Sequence, residues 1–262
     1  MFQPVIPVSG LAGWRFLQRT YDSQLETFSK GAVLQRDAEY FRENIGQVRT
    51  AEDLTSDRRL LNVALSAFGL QDDINNRYFI RKILEEGVMR DDALANRLSD
   101  PRYRELSEAF GFGPGEFVKT GEDGFVGAIV ARHQTNSFEV AAGEQDGAMR
   151  VALYAQRELA QLAHDDMSNE AKWFTVMGDP PMRQLFEAAL NLPAALAQID
   201  IDQQLEVFRD AAVSVLGSDD LALFTETGAR ENLITKFVVR DQIRDFSAGM
   251  SSTAVALTLL SG

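Results

Sequence analysis

The sequence predicts an all-α protein, a multi-helix array of two similar helical halves around a shared core. Three observations predict it. Apolar residues recur at helical spacing along nearly the whole chain. Gly, Pro and Asp fall where such helices would start and stop. Strand-like alternation is confined to two short stretches, Val118–Val126 and Lys236–Val239.

Taken in order, the first periodic segments are Trp14–Ser29 and Asp37–Val48. In SDRRLLNVALSAFGL (56–70), Leu60, Leu61, Ala64, Leu65 and Phe68 form one helical face. Ser56 or Asp57 supplies its N-cap, and Gly69 its left-handed stop. Ile74–Glu86 follows. In DPRYRELSEAFG (100–111), Asp100 caps, Pro101 takes the first helical position, Tyr103, Leu106 and Phe110 make the stripe, and Gly111 ends it. Val126–Ala142 and Ala148–Met167 are the next helices. DPPMRQLFEAALNLP (179–193) repeats the Asp-Pro start, with Pro193 beyond its end. Asp202–Leu216 and Arg230–Phe246 complete the set.

The run LSEAFGFGPGE (106–116) tests this reading, because three closely spaced glycines also suggest a phosphate loop. A dinucleotide fingerprint needs G-x-G-x-x-G after a strand. Here Gly111, Gly113 and Gly115 follow a helix, and Glu116 stands in the third glycine's place, where its charge would repel pyrophosphate. The run reads as a helix stop leading into a turn at Pro114.

Composition narrows the function classes. With 45% hydrophobic and 25% charged residues, the 262-residue chain can build a substantial core without crosslinks. It has no cysteine, which excludes disulfides, thiolate catalysis and cysteine-ligated metals, and fits a cytoplasmic setting. A net charge of −13 and a pI near 4.7 disfavour nucleic acid and anionic membranes. Residues 1–16 lack a basic region before an apolar run, so no cleavable signal is expected. No window is apolar enough for membrane insertion. The expected location is the cytoplasm, with flagellar association or export without a cleavable signal as the alternative.

An internal repeat is expected. Shifted by 127 positions, Ile74 falls on Ile201, Asp92 on Asp219, Leu94 on Leu221, Ala95 on Ala222, Leu106 on Leu233 and Phe110 on Phe237. Upstream, AEYF (38–41) answers AKWF (171–174), and ALSAFGL (64–70) answers FEAALNL (186–192). The expected organisation is an extended N-terminal segment 1–13, a first half 14–125, a connecting helix 126–144, a second half 145–250 and an apolar tail 251–262.

Residues for chemistry are sparse. His133 and His164 lack the Glu-x-x-His spacing of helical metal sites, and each reads as a surface or hydrogen-bonded residue. Gly249-x-Ser251 lacks the second glycine and the strand of a nucleophile elbow. TGEDGF (120–125) lacks the acids of a calcium loop. The acid pairs, such as Asp72–Asp73 and Asp219–Asp220, read as caps and solvated faces. No catalytic, cofactor or metal residue is assigned, and no cofactor is expected. Trp14, Phe16, Tyr40, Phe41, Trp173 and Phe174 lie on apolar helix faces and read as core, the alternative being a groove for a partner helix. The apolar ends, FQPVIP (2–7) and AVALTLL (254–260), either fold back or dock on a protein partner. The candidate docking residues are Phe2, Val5, Ile6, Trp14, Leu257, Leu259 and Leu260.

The run YFRENIGQVRTAEDLTSDRRLLNVALSAFGL (40–70), with ILEEG (83–87) and ALANRLSDPRY (93–103), resembles a helical alphaproteobacterial family that carries a domain of unknown function. FEVAAGEQDGAMRVALYAQREL (138–159) and ALTLL (256–260) are similar to its later blocks. The matching motifs serve packing and capping, and no catalytic residue is carried over. Genes of this family often lie among flagellar genes. The resemblance therefore implies a non-enzymatic binding or assembly role in flagellar biogenesis or function, as assembly factor, export adaptor or minor component. The alternatives are a regulatory module with a small molecule between the halves, or an enzyme built on carboxylates and arginines.

Overall fold

The computed structural model describes residues 2–260; the side chains of Ala194, Asp245 and residues 247–260 lie outside the description. The described residues are helical and contain no strand. In order, the helices are α1 (Gly10–Ser29), α2 (Ala32–Asn44), α3 (Ala51–Ser56), α4 (Arg58–Ala67), α5 (Arg77–Glu86), α6 (Leu94–Arg97) and α7 (Pro101–Phe110). They continue with α8 (Phe125–Gly143), α9 (Gly147–His164), α10 (Asn169–Gly178), α11 (Pro180–Leu190), α12 (Ile201–Leu216) and α13 (Thr227–Leu260). The two strand candidates are absent: 118–124 is irregular, and 236–239 lies inside α13.

The chain forms two compact units. One comprises the residues up to Pro4 together with Thr20–Ala141, the other Val5–Arg19 together with the chain from Ala142 onward. Each is organised around one short buried helix.

In the first unit that helix is α4. From Leu60 to Phe68 every residue except Asn62 is buried, as expected of a helix surrounded by others. It packs against α2 and α3. Phe41, Ile45, Leu54, Leu84, Leu106 and Phe110 complete the surrounding core. Burying each such side chain stabilises the fold by roughly 1.5–3 kcal/mol before entropy is counted. Helix α3, unforeseen in the sequence, owes its start to a capping box. Thr50 Oγ1 accepts the Asp53 N–H at 3.1 Å, and Asp53 Oδ2 accepts the Thr50 N–H at 3.0 Å.

In the second unit the central helix is α11, which packs against α9, α10, α12 and α13. Trp173, Phe186, Phe208 and Phe224 form a connected aromatic cluster around it. Lys172, a buried cation, donates from Nζ to the Ala163 carbonyl at 2.8 Å near the end of α9, where the helix dipole favours positive charge.

Both central helices are closed in the same way. Asp57 caps α4, its Oδ1 accepting the Arg59 and Leu60 N–H groups at 2.8 and 3.1 Å. Asp179 caps α11, its Oδ1 accepting the Met182 N–H at 3.0 Å. A tyrosine from the preceding long helix donates to the other carboxylate oxygen in each case: Tyr40 to Asp57 at 2.6 Å, and Tyr154 to Asp179. At the far end Gly69 and Asn191 adopt positive φ, 71° and 61°. The next N–H reaches back one turn, Leu70 to the Leu65 carbonyl and Leu192 to the Glu187 carbonyl, the double closure of a Schellman motif. From 57 to 179 and from 69 to 191 the step is the same 122 positions. The residues paired at a spacing of 127, Leu106 with Leu233 and Phe110 with Phe237, are all buried; α7 follows and packs on α6, and α13 follows and packs on the 3-10 turn Leu221–Thr225. Trp173 does not answer Tyr40; that role falls to Tyr154.

Candidate functional site

The glycine run at 111–116 closes α7 and then builds a clasp. Gly111 takes the left-handed C-cap position at φ 66°, donating to the Ser107 carbonyl at 3.0 Å. A side chain there would have its Cβ 2.1 Å from the Phe117 carbonyl oxygen, so only glycine fits. Pro114 and Gly115, the latter at φ 84°, occupy the centre of a turn in which the Glu116 N–H donates to the Gly113 carbonyl at 3.1 Å. That is the residue order a type II turn requires.

This turn locks onto the end of α5. Gly87 and Gly113 meet backbone to backbone: a Cβ on Gly113 would lie 2.4 Å from the Gly87 Cα. Glu116 fastens both sides, Oε1 accepting the Val88 N–H at 2.6 Å and Oε2 the Gly113 N–H at 3.1 Å. The loop N–H groups that would face a phosphate in a nucleotide protein here receive a carboxylate of the chain itself. Asn96 Nδ2 donates to the Val88 and Arg90 carbonyls, both at 2.8 Å, and Glu86 Oε2 accepts the Leu94 N–H at 2.7 Å. The N–H groups of Val88, Leu94, Gly113 and Glu116 and the carbonyls of Val88, Arg90 and Gly113 are thus bonded within the chain.

The clasp displays apolar side chains. Phe117, next to Glu116, is 84% exposed, and Met89, next to Val88, is 68% exposed. The Glu116–Val88 hydrogen bond sets these two segments side by side. Val118 adds a partly exposed neighbour. By contrast Phe110, Phe112 and Phe125 pack ring against ring, with centroids 5.6 and 5.3 Å apart, on the inner side of the same loop. A large aromatic held in solvent on a rigid backbone is the form of a binding anchor, because little conformational freedom remains to be lost on docking.

The residues singled out in the sequence are distributed differently. Trp14 is 1% exposed and belongs to the core, so the docking role expected of it fails: its indole is covered within the fold. Val5 is 48% exposed, while Phe2 and Ile6 are half-buried. The segment folds back toward its own helix, with the Val8 carbonyl so close to Gly13 that a Cβ there would lie 1.9 Å from it. The side chains of Leu257, Leu259 and Leu260 lie outside the described residues, although the helical backbone runs through them.

His164 is exposed at the end of α9, as expected. His133 is neither on the surface nor hydrogen-bonded: it is 3% exposed, and both ring nitrogens lack a hydrogen-bond partner. It lies on α8 in line with the buried Asn136 and Glu139, a polar row that places it facing inward. Burial pushes its pKa below the usual histidine value, and the Asp37 carboxylate only partly offsets this. No group of three or more His, Asp or Glu suited to a metal ion occurs among the described residues. Among the same residues no helix is long and apolar enough to cross a membrane.

Comparison with known proteins bears on the whole arrangement. No curated protein matches the chain. The crystal structure of protein AGR_C_984 from Agrobacterium tumefaciens is similar to it, with a TM-score of 0.73 and 27% identity over 93% of this chain and 99% of that one. The model of the family described as "Protein of unknown function (DUF1217)" matches residues 67–228, which include the clasp and the central helix of the second unit. The chain belongs to that family.

Proposed function

We propose that this protein acts by binding another protein, without catalysis, in flagellar biogenesis or function. The observation that carries the binding role is the clasp: four glycines and a doubly bonded Glu116 hold Phe117 and Met89 in solvent. Burying an exposed Phe at an interface contributes roughly 1.5–3 kcal/mol, enough for an anchor. The acidic chain, with a net charge of −13, favours a partner whose apolar pocket is bordered by Lys or Arg. The flagellar setting rests on the family resemblance of residues 40–70, 83–87, 93–103, 138–159 and 256–260.

The test is genetic. A strain lacking the gene is complemented with the natural chain, with Phe117→Asp or with Met89→Asp. Loss of motility or of filament assembly in the deletion, restored by the natural chain and not by Phe117→Asp, is the expected result. Normal swimming and normal filaments in the deletion strain would refute the flagellar role. Full restoration by both Asp variants would remove the clasp from it.

The two units are also read as products of duplication. The shared Tyr-to-Asp cap, the shared C-terminal closure and their common step of 122 positions support this reading. On that reading the clasp was added to one copy. After Gly217 one short 3-10 turn precedes α13, as α6 precedes α7 after Gly87, but α13 runs on as helix, whereas α7 stops at Gly111 and the clasp follows.

A further inference from the structure

The segment that leads out of the clasp holds peptide groups that the fold does not use. From Glu116 to Lys119 the chain runs straight, without helix, turn or bend. Its inner side is occupied. The Lys119 N–H donates to the Phe110 carbonyl at 3.1 Å, and the Phe117 carbonyl lies against Gly111, where a Cβ would stand 2.1 Å from its oxygen. In an extended chain successive residues turn their N–H and C=O groups to opposite sides. Those of Val118 therefore face away from the Phe110–Gly111 backbone. Among the described residues neither group has a hydrogen-bond partner, and Val118 is partly exposed. An N–H and a C=O on one exposed residue of a straight segment are what an edge strand offers to a second chain.

We propose that the partner of the clasp binds as an extended segment, which pairs its main chain with Val118 and lays an apolar side chain on Phe117. This rests on the binding role proposed above and gives its mode. Strand addition takes affinity from main-chain hydrogen bonds and selectivity from alternate side chains. Val118 supplies the donor and the acceptor, and Phe117, 84% exposed, supplies the apolar contact. Glu116 fixes the segment from behind through the Val88 and Gly113 N–H groups, so little of the clasp is left to be ordered on pairing. A helix could cover Phe117, but its own N–H and C=O groups are bonded along its axis and cannot answer Val118.

Charge defines the segment further. Residues 88–92 and 116–123 hold five carboxylates, Asp91, Asp92, Glu116, Glu122 and Asp123, against two cations, Arg90 and Lys119. Arg90 is taken up by Asp92, while Asp91, Glu122 and Asp123 are exposed. The occupant that fits is a strand in which apolar residues alternate with Lys or Arg. A second copy of this chain does not fit, because it would bring the same carboxylates to the same rim.

The probe is a dye-labelled Lys-Val-Lys-Val-Lys-Val-Lys peptide, titrated into the full chain by fluorescence anisotropy. A second peptide has the same sequence and charge, with every amide nitrogen methylated. Expected are binding of the first peptide, binding of the methylated one weaker by about tenfold or more, and a Val118 amide that exchanges its hydrogen about tenfold more slowly in the complex. Phe117→Asp, with an unchanged melting temperature, should also weaken binding by about tenfold or more. It adds negative charge, so a merely electrostatic hold on a cationic peptide would tighten instead. Equal binding of the two peptides, or an unprotected Val118 amide, overturns strand pairing. If Phe117→Asp still weakens binding in that case, the clasp remains a docking site and the role proposed above stands. Equal binding by Phe117→Asp places the peptide elsewhere and overturns the proposal, as does a failure of the unmethylated peptide to bind.

Discussion

The central helices α4 and α11 are closed by the same devices at different depths. Asp57 and Tyr40 are half-buried, and the guanidinium of Arg59 lies 3.8 Å from the Tyr40 ring. Asp179 and Tyr154 are buried at 5% and 8% exposure, so neither oxygen can fall back on water. At the other end one helix uses Gly69 and the other Asn191 for the same left-handed turn. The difference teaches that the backbone requirement is shared, while the energetic weight of each device depends on what surrounds it. Only the first unit carries the clasp, whose glycines are set by backbone contact and not by helix closure alone.

The largest effect is expected where the first unit departs from the second. Gly113→Ala places a methyl group 2.4 Å from the Gly87 Cα and 2.9 Å from the Glu116 carboxyl carbon. The two backbones must separate, which breaks the Glu116 bonds, and a loss of about 3 kcal/mol or more is expected. Gly217→Ala in the second unit meets nothing within 4 Å and costs only its positive φ of 85°, about 1 kcal/mol. Urea unfolding of both variants measures the gap. Equal losses would mean that the clasp is not tightly packed.

Next come the caps. Asp179→Ala removes both the buried acceptor of the Tyr154 hydroxyl and the cap of α11, for an expected loss of about 2–3 kcal/mol. Asp57→Ala should cost about 1 kcal/mol, since solvent can reach Tyr40. Tyr154→Phe and Tyr40→Phe should follow the same order. If Asp57→Ala proves the costlier, burial is not what separates the two ends.

Smaller still is the exchange at the C-terminal closures. Gly69→Asn keeps a residue that tolerates the left-handed region, and its Cβ would stand 3.4 Å from Arg102 Nη1, an ordinary van der Waals contact. A cost under about 1 kcal/mol is expected, against about 2 kcal/mol for Gly69→Val, which is β-branched. Asn191→Gly should be neutral or stabilise by a few tenths of a kcal/mol. Melting temperatures that rank Asn with Val at position 69 would show that the two closures are not interchangeable.

These devices differ in how far they could be read from the chain. Asp57, Gly69, Asp100–Pro101, Gly111 and Asp179–Pro180 act on their own neighbours within a few residues, so their roles are legible locally. The Thr50–Asp53 box was equally local, and a search for that pattern would have found α3. The contact of Gly87 with Gly113, and of Tyr154 with Asp179 across 25 positions, depends on the fold and leaves no local trace. Phe117 was hidden for a similar reason. An aromatic beside apolar residues reads as core, and only the direction fixed by the clasp turns it outward. The end of α13 escaped because Gly249 and the serines around it look like a stop, yet each weakens a helix by no more than about 1 kcal/mol. His133 reads as a surface or hydrogen-bonded residue from spacing alone, and its burial is set by partners far away in sequence.

That histidine supplies the smallest effect and one without a counterpart among the paired devices of the two units. Its folded pKa lies below 6.5 because burial without a hydrogen-bond partner disfavours the imidazolium. The unfolded chain binds a proton as the pH drops through about 6.5, while the folded chain resists it. Stability should therefore fall as the pH is lowered from about 6.5 toward the folded value, and level off below it as far as this group is concerned. Asp57 acts lower down. Burial alone would raise its pKa, but the Tyr40 hydroxyl and two backbone N–H groups outweigh that and hold it below 3.8, so its contribution persists above the ordinary carboxylate range. His133→Leu should keep or raise stability at neutral pH, because it removes two buried unbonded nitrogens, and should flatten the fall in melting temperature as the pH drops below about 6.5. An unchanged slope in that range would place the titrating group elsewhere and leave His133 as packing alone.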